Sequence, residues 1–315
     1  MISINYFAHD RPTYYWEITS FYLNKIKDEN KKKIKIHVLA THQHNWQDFI
    51  DGIEIEVVNF PYEGNYLGKV NYATGTGSKY SVKLDEDCFI NNYIWDYLIE
   101  NISFLDAEES FLISPLLSNN IPLVDIFIEN FVTNKEIKQS IYNEFSNPPM
   151  PNGLWGVDYT PIRFDNWNRE EFYYKVNLLP TPFKGIHPIR ICAGSQIILN
   201  NYILDNFDRI NQKYNYEIKS FNRPYFTINT FAIKTDDWIK SNQEVKYDAY
   251  DEVPMNIYCK NSGKKRYYIN NGFSIHTLYN TMYGNKNPWG MGIEDGKGYE
   301  YEFTQNILKK IKGIN

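Results

Sequence analysis

Tyr80-Ser81-Val82-Lys83-Leu84-Asp85-Glu86-Asp87 decides how this chain is read. Tyr80, Val82 and Leu84 alternate with Ser81 and Lys83, the period of a strand. The strand runs straight into three carboxylates, and an apolar pair, Phe89-Ile90, follows them. A solvated loop does not require such flanks. In open α/β sheets ligands sit at the carboxyl ends of strands, and the triplet is placed at such an end. On an extended chain Asp85 and Asp87 share one face while Glu86 points away. Two carboxylates so placed can converge on Mg²⁺ or Mn²⁺, hard cations that take oxygen ligands.

Upstream of the triplet, strands and helices alternate. Ile2–Phe7 reads as a strand, His9-Asp10-Arg11-Pro12 breaks it, and a helix follows through Trp16, Ile18, Phe21, Tyr22 and Ile26. Lys31-Lys32-Lys33 reads as a solvated turn, residues 34–40 and 53–58 as further strands, and 64–78 as a helix or lid ending at Gly75 and Gly77. This order predicts an α/β fold with a mostly parallel sheet flanked by helices.

Downstream, a helix over 92–102 and a strand over 111–117 continue the pattern. From about residue 134 the texture becomes polar and irregular, with Pro148-Pro149-Met150-Pro151-Asn152-Gly153 and Leu179-Pro180-Thr181-Pro182 as breaks. Residues 134–224 are therefore expected to be an irregular inserted lid. It divides residues 1–133 from residues 225–315, which end in a terminal helix. Regular elements are expected again at 195–210, 226–233 and 305–311.

The whole chain has 315 residues, with 33 Lys+Arg against 38 Asp+Glu and a net charge of −5. This mild acidity argues against a phosphate-backbone partner, which favours a strongly basic face. Cys88, Cys192 and Cys259 have no disulfide or zinc-knuckle spacing. No run approaches the ~20 apolar residues of a membrane helix, and Met1–His9 lacks the pattern of a cleaved signal. A soluble, reducing, cytoplasmic setting is expected. Mean hydropathy is −0.53 because much of the apolar content is tyrosine: 27 Tyr stand beside 19 Phe and 7 Trp. Tyr and Trp faces suit sugar or base stacking, although an AT-rich genome enriches Tyr irrespective of function.

The chain resembles the GT-A glycosyltransferases, which use nucleotide-diphosphate sugars. The resembling parts are the first strand with His9-Asp10-Arg11-Pro12, Lys83-Leu84-Asp85-Glu86-Asp87 as the family's "DxD" motif, and two later stretches. These are Tyr250-Asp251-Glu252-Val253-Pro254-Met255-Asn256, and Gly272-Phe273-Ser274-Ile275-His276-Thr277-Leu278-Tyr279-Asn280. The likeness covers 1 to about 130 well and 225–280 loosely, and it implies a nucleotide-sugar-binding half over 1–133 and an acceptor-side half over 225–315.

The resemblance implies that Asp87 ligates the metal, that Asp85 reaches the ribose, the metal or both, and that His276 is the later metal ligand. Tyr6, Phe7, Arg11 and Lys83 become donor contacts. For an inverting transfer, slightly favoured, a general base must face the acceptor hydroxyl. Glu252 is its first candidate and Asp251 its second. The same two acids equally suit a helix N-terminus, where the dipole favours negative charge. His187 and Arg190, in His187-Pro188-Ile189-Arg190, are candidates for acceptor or lid contacts.

The leading expectation is a metal-dependent (Mn²⁺ or Mg²⁺) glycosyltransferase acting on a nucleotide-diphosphate sugar, UDP-sugar favoured, and a hydroxyl acceptor in surface-glycan synthesis. A phage or viral enzyme that glycosylates DNA bases is a variant that the acidic charge disfavours. A glycan-binding module with a structural Ca²⁺ is the non-catalytic alternative. A nucleotidyltransferase needs a glycine-rich loop after the first strand, which is missing here. The absence of G-x-S-x-G and P-loop patterns weakens hydrolase and P-loop readings.

Overall fold

The computed structural model describes residues 1–9, 11–60, 66–118, 124–146, 193–221, 229–244, 252–277 and 293–314. Among the described residues nine strands form one sheet: β1 (Ile2–Phe7), β2 (Ile34–Ala40), β3 (Glu54–Asn59), β4 (Tyr80–Asp85), β5 (Cys88–Ile90), β6 (Ser110–Leu117), β7 (Glu217–Phe221), β8 (Thr230–Lys234) and β9 (Lys265–His276). Their order is β3-β2-β1-β4-β8-β6-β9-β5, with β7 added on β9.

The strands β3, β2, β1 and β4 are parallel. Both β4 and β6 run against β8, so β6 points the same way as the first four. The expected α/β fold with a mostly parallel sheet flanked by helices is what the chain adopts. Burial follows position in the sheet. All six residues of β1 and all eight of β6 are buried, whereas the edge strand β3 is half exposed. Strands buried on both faces read as continuous apolar runs, which is why Phe111-Leu112-Ile113 carries no alternation.

The helices are α1 (Tyr14–Asn24), α2 (Asp28–Lys31), α3 (Tyr66–Gly75), α4 (Asn92–Glu100), α5 (Val124–Phe131), α6 (Lys135–Ser146), α7 (Ala193–Asp205), α8 (Phe207–Ile210), α9 (Thr235–Glu244), α10 (Glu252–Ser262) and α11 (Ile293–Lys312). Helix α1 buries Tyr15, Trp16, Ile18, Thr19, Tyr22 and Leu23, the stripe expected of a 3.6-residue period. It packs beside α4, and α3 packs beside α9. Right-handed crossovers demand two opposite faces here. The chain builds outward from β1 through β2 to β3, then returns past β1 to β4. That reversal makes the β1–β4 junction a topological switch point.

Two compact units divide the chain. One comprises Met1–Leu116, Lys213–Asn222 and Ile228–Ile275. The other takes Leu117–Gln212, Arg223–Thr227 and the chain from the last residue of β9 onward. In the second unit α7 packs against α6 and α11. Within the segment expected as an inserted lid, 135–146 are helical and β7 adds a strand, the helix expected at 195–210 is present as α7 and α8, and 147–192 lie outside the described residues. Helix α11 begins well before residue 305. No sequence expectation named α2, β5, α5, α9 or β9. No described helix is long and apolar enough to cross a membrane.

Candidate functional site

The carboxyl ends of β1 and β4 lie side by side, with Phe7 in register with Asp85. One face of this pair carries Asn5, Phe7, Lys83 and Asp85, the other Tyr6 and Leu84. Tyr6 packs on Trp16 of α1, with ring centroids 4.8 Å apart. Its hydroxyl pKa is raised well above the usual tyrosine value by burial, with Glu86 and Asp87 adding to the effect. Tyr6 and Phe7 are both buried, one on each face of the sheet just before the strand end.

Lys83 is only 3% exposed. Burying an ammonium costs several kcal/mol unless it is paired, and here three groups compensate. Its Nζ is 2.7 Å from Asp85 Oδ1 and lies 5.3 Å from the Phe7 ring centroid and 5.4 Å from that of Tyr66. Each such cation–π contact contributes about 0.5–2 kcal/mol. From the adjacent strand end, the Asn229 side-chain amide donates to Asp85 Oδ2 at 3.4 Å, and Asp85 N–H donates to the Asn229 carbonyl at 3.1 Å.

The alternation expected beyond Asp85 does not continue, because residues 86–87 turn before β5. Glu86 consequently reaches toward β1, as does Asp87. Glu86 Oε2 accepts the His9 N–H at 2.9 Å, and Arg11 lies 3.7 Å from Glu86 and 3.6 Å from Asp87. The Arg11 guanidinium also sits 5.7 Å from the Tyr15 ring centroid. Asp87 accepts from the Cys88 thiol at 3.8 Å, and burial pushes that thiol's pKa well up, so it stays protonated. Directly after β5, the Asn91 side chain caps α4 by accepting the Ile94 N–H at 3.0 Å.

Sequence reasoning missed Lys69. It is completely buried on the inner face of α3 with Val70 and Ala73. Its Nζ donates to the Ala8 carbonyl at 2.7 Å and to His9 Nδ1 at 3.3 Å. Burial lowers its pKa to about 8, and Glu86 and Asp85 oppose that shift. The signal was available: Lys69 falls four residues before Ala73, on the face that an amphipathic helix turns inward. Thr41 and His42 complete the lock on His9. The Thr41 hydroxyl and, at 2.6 Å, the His42 Nδ1–H both donate to its carbonyl. Beyond β2, residues His44, Trp46, Val57 and Asn59 line a polar cavity of about 470 Å³.

The structure thus brings together Tyr6, Phe7, Arg11, Lys83, Asp85 and Asp87 of the sequence candidates, and adds Glu86, His9 and Lys69. His276 is the last residue of β9, fully buried, with its backbone N–H donating to Ser118 Oγ at 3.1 Å. Glu252 is the first residue of α10, in keeping with the helix-terminus reading of that acid, and its side chain lies outside the described residues. Asp251, His187, Arg190 and Asp10 also lie outside them.

No family model and no curated protein matches this sequence. Among solved structures it is similar to S. aureus TarS 1-349, at 11% identity over 98% of this chain and 65% of that one, with a TM-score of 0.41. The same protein in complex with UDP-GlcNAc aligns over 37% and 34% at 13% identity, with a TM-score of 0.29. GalNAc-T7 with UDP, GalNAc and Mn²⁺ aligns over 88% and 43% at 10% identity, with a TM-score of 0.44. The chain spans between about a third and two thirds of the length of these structures.

Proposed function

We propose that this chain is a metal-dependent glycosyltransferase of the GT-A type. It moves a sugar from a nucleotide-diphosphate donor, a UDP-sugar first among them, to a hydroxyl of a glycan acceptor. One observation carries the reading. Asp85, Glu86 and Asp87 meet Arg11, Lys69 and Lys83 at the carboxyl-end switch point of β1 and β4, where α/β sheets bind their ligands.

The charge balance supports it. Among the described residues three cations face three carboxylates. A divalent ion brought in with the doubly negative diphosphate of a nucleotide sugar leaves that balance unchanged. A phosphate ligand alone would crowd the carboxylates, and an ion alone would crowd the cations.

The donor chemistry fits a divalent ion. Asp85 and Asp87 offer the hard carboxylate oxygens that such an ion takes. Asp85, Asp87 and His276 are the proposed ligands, since Mg²⁺ and Mn²⁺ favour hard donors over a soft thiol. Such an ion, when bound, neutralises the departing diphosphate as a Lewis acid.

The chain's own residues do the remainder. Arg11 and Lys83 hold the donor phosphates by charge-assisted hydrogen bonds. Tyr6 and Phe7 fix the end of β1 from its two faces beneath the donor, and the cavity beyond β2 receives the nucleobase. Glu252 takes the acceptor proton on the face opposite the leaving group, with Asp251 the second candidate, which gives inversion. His187 and Arg190 are proposed to touch the acceptor.

The test is a thermal-shift panel of UDP-, GDP-, CMP- and dTDP-sugars with and without Mn²⁺, since a ligand of the folded state raises the melting temperature. One nucleotide that stabilises only with Mn²⁺, and no longer does so in Asp87→Ala, is the expected outcome. Unchanged metal dependence in Asp87→Ala overturns the site, and no shift with any nucleotide overturns the function.

A further inference from the structure

A second cavity, of about 690 Å³, shares no lining residue with the strand-end cluster. It runs along α4, whose Asn92, Tyr93 and Tyr97 recur at helical spacing on one face, and is closed on the other side by Tyr214, Asn215 and Tyr216. Lys25, at the end of α1, closes one end of it. Because α1 leads away from the carboxyl end of β1, Lys25 at its far end lies toward the amino-terminal ends of the strands, away from the acidic cluster.

Four tyrosines from two distant segments therefore converge on one groove. Composition explains why the chain has many tyrosines and says nothing about why four of them gather here. Core packing does not explain it either. Tyr6, Tyr15 and Tyr22 are at most 2% exposed, whereas Tyr93 is 38% exposed and Tyr97, Tyr214 and Tyr216 are half-buried. Tyr97 and Tyr216 stand 5.3 Å apart, tilted at 52°, so they present a faceted aromatic wall.

The charges around the groove are largely spent. Lys27 Nζ is 2.6 Å from Glu100, Asp96 accepts both the Lys27 N–H and the Asn30 side-chain amide, and Lys25 lies 3.8 Å over the Phe21 ring. What remains is aromatic faces flanked by the Asn92 and Asn215 amides and a single further lining cation, Lys213. Apolar ring faces stack on the former and hydroxyls hydrogen-bond to the latter.

We infer that this groove is a binding site for a neutral oligosaccharide, separate from the strand-end site. It holds a glycan chain by stacking pyranose rings on Tyr93, Tyr97, Tyr214 and Tyr216. A chain seated there while its end is elsewhere on the protein gains effective concentration without further contacts. The inference stands independently of the donor site, because it rests on residues that the donor site does not use.

The experiment is isothermal titration calorimetry of the full chain with cellohexaose, maltohexaose and chitohexaose, without nucleotide or metal. At least one hexasaccharide binds. Tyr97→Ala weakens that binding about fivefold or more. Tyr93→Ser, at an exposed position that folding does not depend on, weakens it in the same direction, while Asp87→Ala leaves it unchanged. Absence of binding by all three sugars overturns the inference. So does binding that Asp87→Ala abolishes and Tyr93→Ser leaves intact, which would assign the sugar to the strand-end site.

Discussion

Asp85 closes β4 with a carboxylate oxygen 2.7 Å from the ammonium of Lys83, two residues back on the same face of the strand. The lysine is almost fully buried, and the aspartate retains partial access to solvent. Removing the cation leaves a half-shielded carboxylate among aromatic rings. Lys83→Met is expected to cost about 1–3 kcal/mol, discounted from the ~3–5 kcal/mol of a fully buried pair. Urea unfolding at pH 7 measures it. A change within experimental error would mean that Asn229 alone satisfies Asp85.

Lys69 makes a prediction about pH. Its folded pKa, about 8, lies below the 10.5 of an unfolded lysine. Below pH 8 both states carry the proton, and the burial penalty is constant. Between pH 8 and 10.5 only the unfolded chain remains protonated, so stability rises with pH. The gap of about 2.5 units corresponds to about 3 kcal/mol. Lys69→Met has no such group to titrate. The stability of the native chain relative to Lys69→Met should therefore climb across pH 8–10.5, as followed by urea unfolding. A flat difference would place the lysine's pKa near its ordinary value.

Much of this was legible in the sequence, for reasons that differ by element. Strands β1, β2 and β4 announced themselves because Ile2–Phe7, Ile34–Ala40 and Tyr80–Asp85 are β-rich runs bounded by breaks. The acidic triplet could be placed at a strand end for the same reason. Its geometry could not, since the turn at 86–87 is set by the short strand β5 that follows, and this turn sends Glu86 toward His9. Lys69 escaped notice because a single lysine on a helix reads as solvent-facing until the helix has something to pack against. Strands β7 and β9 were missed because they pair with each other across about 50 residues of sequence, and local periodicity carries no record of so distant a partner.

Strand β9 bends at Asn271-Gly272, five residues before it delivers His276. Asn271 takes the left-handed conformation at φ 60°, which asparagine tolerates. A Cβ on residue 272 would lie 2.5 Å from Ile269 Cγ2 and 2.9 Å from its Cβ, closer than real contacts allow. Gly272→Ala must displace the fully buried Ile269 and is expected to cost about 1–3 kcal/mol. Thermal unfolding reads it directly. A variant as stable as the native chain would mean that β9 straightens at no cost.

Glu86 separates two roles that its neighbours combine. Its carboxylate accepts the His9 backbone N–H at 2.9 Å and also lies 3.7 Å from Arg11, in a site where it is nearly buried. Glu86→Gln keeps an oxygen for His9 and removes the charge that faces Arg11. Asp87, at 3.6 Å, remains as the guanidinium's partner. Glu86→Ala removes both functions and orphans a backbone donor at the end of β1. An unsatisfied buried group costs about 1–3 kcal/mol, against about 0.5–1.5 kcal/mol for an ordinary hydrogen bond that is replaced. Glu86→Ala should therefore destabilise the chain more than Glu86→Gln does, by about 1 kcal/mol or more in urea. Hydrogen exchange at the His9 amide distinguishes the causes. Protection should survive in Glu86→Gln and fall in Glu86→Ala. If it falls equally in both, the charge on Glu86 orders the end of β1 rather than its hydrogen bond.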